Sequence, residues 1–301
     1  MPSDMRKAVE ANAISFVAAL TSESWPAAYR QLSDGAKASI TAEKFAGIVQ
    51  QVFLQMAPFR DARVDRIYSP KVVGWTPPSV VCGSSSDPEK WAAVALESEK
   101  EQVHVLVIAD ARNNQWSFAL WMVRGATGWE INGFHGGAST LASWTAADTW
   151  RRARAEAAKD HHFNSVILHY AALQLAYRGN YFQLGLHSEI QQRIPDLPVP
   201  QSLRGAVPYV WASEHDEFRV WRIGPLAVGG DVYLQVFHEL PAWKTNQEVD
   251  NRNKRLIRLL TQRFPEITDV FAGLVITAQE TNSNRQFGTV EEWKQAQEKG
   301  P

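Results

Sequence analysis

Apolar and polar positions alternate most regularly over residues 102–136, QVHVLVIADARNNQWSFALWMVRGATGWEINGFHG. Trp116, Phe118, Leu120 and Met122 fall on one face of a strand, and Ala119, Trp121 and Val123 fill the other. Gly125 to Gly128 supply a turn, after which Trp129 and Ile131 resume the period. A strand that is apolar on both faces needs cover on both, so the pattern predicts a curved or layered sheet. Further strands are expected at about 63–73, 79–83, 91–98, 102–110, 115–124 and 128–135, with GSSSDPEK as a polar loop among them.

Upstream the period lengthens to that of helices. Met5, Val9, Ala13, Phe16 and Leu20 share one helical face behind Ser3. Ser24-Trp25-Pro26 reads as a second helix start, with Gly35 as its stop. Thr41 caps a third, whose stripe runs through Phe45, Ile48, Val49, Val52, Phe53 and Met56 to Pro58. Helices followed by a run of antiparallel strands form an α+β arrangement, with the helices covering one sheet face.

The small, polar segment GGASTLASWT marks a domain boundary, separating residues 1–140 from 147–301. Beyond it, 147–159 and 161–178 read as a helical hairpin, and YFQLGLHSEIQQRI as a shorter helix. Four prolines between 195 and 208 predict a loop without regular structure. Strands at 217–223 and 231–239 follow. A helix comes next, opened by a Thr245–Glu248 capping box and ended by Pro265, and then a strand at 271–279. The sum is a β-β-α-β domain with a tail helix near 290–298.

Composition narrows the function classes. Lys and Arg (31) nearly balance Asp and Glu (32), and the balance holds in each half, so neither half is a basic nucleic-acid module. Cys82 is the sole cysteine, which rules out an internal disulfide and a cysteine-based metal site. No apolar run is long enough to span a bilayer. The opening residues lack a signal-peptide core, so the expected compartment is the cytoplasm as written, or the periplasm or exterior if a leader was removed. Twelve tryptophans in 301 residues imply thick packing layers or a greasy groove.

The helix order, the length and the closing hairpin WSFALWMVRGATGWEINGFH make residues 5–136 resemble the nuclear-transport-factor-two-like superfamily. The resemblance covers under half the chain and implies a cone, in which a strongly bent sheet wraps a long helix. Enzymes among such relatives place a carboxylate or histidine inside the cone as general acid or base, its pKa moved towards neutrality by burial. Asp65, Tyr68, His104 and Asp110 are the strand residues that such a role would draw on, although no family catalytic residue aligns onto them one by one. Trp116, Trp121 and Trp129 are the corresponding candidates for an apolar ligand.

Other motifs carry less. Gly136-Gly137 and Gly229-Gly230 read as turns rather than phosphate loops. His161, His162 and His169 miss the spacing that puts metal ligands on one helix face, and no metal or other cofactor is expected. The arginines at 151, 152 and 154 read as a solvated face. The expectation is a bacterial-style, two-domain protein that acts as a non-catalytic binding or interaction module. It would offer a small apolar ligand or a protein partner a pocket, or a sheet face that also supports a homodimer. The competing reading is an isomerase, dehydratase or hydrolase working inside the cone.

Overall fold

The computed structural model describes residues 1–22, 24–53, 58–70, 78–84, 86–97, 101–213 and 216–293. The protein is α+β and divides into two compact units: Met1–Thr140 with Leu175–Gln192, and Leu141–Gln174 with Arg193–Pro301. The segment Leu175–Gln192, which the sequence pattern places with the second half, packs with the first.

The first unit opens with α1 (Ser3–Thr21), α2 (Trp25–Arg30), α3 (Asp34–Ser39) and α4 (Ala42–Phe53). Gly35 does not stop α2. The chain turns at Gln31, and Ser33 caps a separate helix by accepting from the Ala36 N–H at 3.2 Å. Along α4, Phe45, Val49 and Phe53 are buried at intervals of four, while Ile48 and Val52 face solvent. Met56 lies outside the described residues.

Six strands follow: β1 (Arg60–Tyr68), β2 (Ser79–Gly83), β3 (Trp91–Ala95), β4 (Gln102–Asp110), β5 (Gln115–Arg124) and β6 (Trp129–Ala138). Strands β1, β4, β5 and β6 form a four-stranded antiparallel sheet in the order β1-β4-β5-β6. The end of the strand expected at 63–73 falls on residues 71–73, outside the described residues. Gly136 and Gly137 are not a turn but lie within β6, opposite Phe118 and Ser117. At Gly136 a Cβ would stand 2.9 Å from the Phe53 ring, so its absence lets α4 close on the sheet.

Alternation decides which layer each side chain joins. Val103, Val105, Val107, Phe118, Leu120, Met122 and Ile131 face the helices and pack with Phe16, Leu20, Phe45 and Phe53. Each such fully buried side chain contributes about 1.5–3 kcal/mol. On the opposite face, Tyr68, Leu106 and Ala119 meet Ala92, Val94 and Phe182. That second cover is a three-stranded sheet, β2-β3-β9, completed by β9 (Phe182–Leu184) after β7 (Thr140–Leu141) and β8 (Trp144–Thr145). The sheet face expected to stay open for dimerisation is therefore covered within the unit.

The second unit contains α5 (Ala146–Ala157) and most of α6 (His162–Ala176), and the first ends in α7 (Gly185–Arg193). Within the second unit, Glu156 of α5 accepts from His161, Asn164 and Lys159, which joins the hairpin at its corner. Two short 3-10 turns, Ile194–Asp196 and Gln201–Leu203, occupy the proline-rich stretch.

A five-stranded sheet completes this unit: β10 (Tyr209–Ala212), β11 (Glu217–Val228), β12 (Asp231–Leu240), β13 (Gly273–Glu280) and β14 (Gln286–Glu292). Gly229 and Gly230, at φ +61° and +97°, form the two-residue turn between β11 and β12. The strand β12 runs on through α8 (Asn246–Arg263) to β13, and those two strands pair in parallel, as a crossover helix allows. The Thr245–Glu248 capping box is present in full. In place of the start of a tail helix, 290–292 belong to β14, and 294–298 lie outside the described residues.

Candidate functional site

The residues singled out from sequence separate in the fold. His104 and Tyr68 are register partners on the second face of the four-stranded sheet, and both are buried. Asp65 is exposed and pairs with Arg66 at 3.4 Å; Asp110, also exposed, ends β4 and accepts from the Gln115 amide at 3.2 Å. Trp116 and Trp129 are buried in the helix-side core. Only Trp121 reaches the second face, where its ring stacks on His104 with centroids 5.7 Å apart. Cys82 sits in β2, and burial pushes its thiol up, away from thiolate chemistry.

The interior on the helix side is closed by aromatic rings. Phe53, Phe59, Trp116 and Phe118 form edge-on and tilted pairs with centroids 5.6–6.5 Å apart. Polar chemistry concentrates instead on the second face. His104 Nε2 donates to the Ala95 carbonyl at 2.8 Å, a bond that fixes the tautomer and leaves Nδ1 bare. Burial holds the His104 pKa down at about 4, so the ring is neutral at physiological pH.

Beside it the chain re-enters through residues 177–182. This segment lies close to the sheet because β6 carries glycine where it passes. A Cβ at Gly133 would stand 3.1 Å from the Tyr181 ring, and one at Gly179 would stand 2.8 Å from the His135 Cβ. Gly179 also adopts φ +89°, which L side chains rarely tolerate. Tyr177 then sits between two histidines, with ring centroids 4.9 Å from His135 and 5.7 Å from His187.

Next in the chain is Arg178, buried to 6% exposure. Its Nη1 donates to the Leu175 and Tyr177 carbonyls at 2.7 and 2.8 Å. Its Nε is sealed without an acceptor, and no carboxylate among the described residues lies within ion-pair distance. Burial lowers the guanidinium pKa to about 10, against the favourable field of Asp65, so the group stays charged at neutral pH. Burial first, and the Arg178 charge second, push both His135 and His187 down.

Sequence reasoning missed Arg178, Tyr177, Tyr181 and the contacts of His135 and His187 with the Tyr177 ring. The available signal was the glycine spacing around His135 in NGFHGG, which marks a strand that another segment approaches closely. Among the described residues, no three His, Cys, Asp or Glu side chains are grouped as metal ligands. No described helix is long and apolar enough to cross a membrane. Comparison of the chain with protein-family models, curated proteins and solved structures finds no match.

Proposed function

We propose that the first unit is a non-catalytic small-molecule-binding module whose site lies where residues 177–181 pass over Trp121, Gly133 and His135 on the second side of the four-stranded sheet. The observation that carries this is a group of six polar atoms on or beside that face, among fifteen buried polar side-chain atoms without a partner in the described residues. Tyr68 Oη, His104 Nδ1, Ser117 Oγ, Arg178 Nε, Tyr181 Oη and His187 Nδ1 are all sealed from solvent without a hydrogen-bond partner. Each such atom costs about 1–3 kcal/mol, and folded proteins keep few of them without a reason. A bound ligand that supplies partners would recover part of that cost.

Among the described residues, the hydrogen-bond partner of the His104 ring is the Ala95 carbonyl. The four helices ahead of the sheet and the long β5–β6 hairpin support kinship with the nuclear-transport-factor-two-like superfamily, with the helix-side interior filled by the protein's own rings. A fragment screen followed by histidine and tyrosine NMR tests the reading. Shifts are expected at His104, His135 and Tyr181. Shifts confined to the helix-side core or to the second unit would overturn it, as would turnover of any fragment abolished by His104→Gln.

A further inference from the structure

We infer that the second unit carries a separate site for a single pyranose residue, in the open cavity beside Trp221 on the five-stranded sheet. The cavity holds about 260 Å³ and is lined by Trp221, Glu239, Gln279, Glu280 and Thr281. It is smaller than the pockets that enclose drug-sized ligands and suits one ring of a polar ligand. Its walls follow from the strand pattern. Glu239 and Gln279 are register partners in the parallel pair β12–β13. Leu240 and Ala278, each one residue away, pack with Val249 of α8, so Glu239 and Gln279 lie on the opposite face. Trp221 joins them because the β11–β12 register skips it between Val220 and Arg222, and its ring tilts against Phe237 with centroids 4.9 Å apart.

The chemistry of the lining selects the ligand. Glu239 accepts from Arg219 Nε at 2.8 Å, and Glu280 accepts from the Ser283 hydroxyl at 2.6 Å and the Trp243 N–H at 2.8 Å. Those bonds hold both carboxylates in place and leave acceptor lone pairs on each. Thr281 donates to the Leu240 carbonyl at 3.2 Å and keeps its own lone pairs. The Gln279 amide and the Trp221 indole N–H make no hydrogen bond among the described residues. The cavity therefore offers prepositioned acceptors, an amide that both donates and accepts, and an indole. A ring of adjacent hydroxyls with an apolar C–H face answers all three. A simple organic cation answers fewer, because Arg219 already pairs with Glu239 and the Arg285 charge acts on Glu280, so little negative field is left over. An anion would face two carboxylates.

The test uses the full chain with the methyl pyranosides of glucose, galactose, mannose, xylose and N-acetylglucosamine, and with choline as the cation control. Binding is read by calorimetry and by the indole N–H signals in NMR, the Trp221 signal being assigned from its loss in Trp221→Phe. At least one glycoside is expected to bind and to shift that signal. Trp221→Ala should weaken its binding at least about tenfold, and Gln279→Ala at least about threefold. Trp221→Phe keeps a stacking surface and should lose less than Trp221→Ala, which separates the contact from a folding defect. A free sugar and the end of a glycan share this chemistry. Equal affinity for the methyl glycoside and for a trisaccharide ending in the same sugar would mark the free sugar, and tighter trisaccharide binding the glycan end. Failure of all five glycosides to bind, binding that Trp221→Ala leaves unchanged, or choline binding more tightly than every glycoside would overturn the proposal.

Discussion

Replacing His104 by glutamine should remove a defined part of the protein's acid sensitivity. The imidazole is fully buried, donates from Nε2 to Ala95 and stacks on Trp121. Burial depresses its pKa from 6.5 to about 4 in the folded state. As pH falls, the unfolded chain therefore takes up the proton first. The stability associated with the neutral ring is complete above the unfolded value and is lost as pH falls through that window towards the folded one. With those two values, the loss between pH 7 and pH 5 is about 2 kcal/mol, at about 1.4 kcal/mol per pKa unit. Glutamine reaches the Ala95 carbonyl with a similar donor and does not titrate, so the packing change is common to both pH values and cancels in the difference. Urea unfolding of both proteins at pH 7 and pH 5 measures it. The wild type should lose about 2 kcal/mol more than His104→Gln over that interval. A difference below about 0.5 kcal/mol would mean that the ring is hydrated or already charged, and the account of the second face would fail at its centre.

Two substitutions test how the layers are positioned. Gly179→Ala places a side chain at φ +89° and 2.8 Å from the His135 Cβ, and should cost about 1–3 kcal/mol while shifting the His135 NMR signal. In the second unit, Asn253 is buried, with its Oδ1 2.8 Å from His238 Nε2 and its Nδ2 3.0 Å from Thr289 Oγ1. Asn253→Leu should destabilise that unit by about 2–4 kcal/mol in thermal unfolding, since it leaves His238 Nε2 without its partner and takes the buried amide donor from Thr289, which keeps its bond to Asp250.

Local pattern alone determined much of this protein. The period-two stretch 102–136 specified β4, β5 and the start of β6, and the capping-box spacing specified the start of α8, because each signal is carried by residues close in sequence. The two-faced apolarity of β5 correctly demanded cover on both sides. It could not say what the second cover was, since β9 is 58 residues beyond the end of β5 and only three residues long. The same limit applies to the site. His104 was visible as a histidine on an apolar strand, but its partner is a backbone carbonyl, to which every residue type contributes alike. Arg178 follows a helix in an unremarkable Arg-Gly-Asn sequence. Its burial, and the place of its neighbour Tyr177 between His135 and His187, exist only because the chain returns to a sheet laid down some forty residues earlier. Hydrophobic period is a property of neighbours in sequence; desolvation and unpaired charge are properties of neighbours in space, and only the tertiary structure decided those.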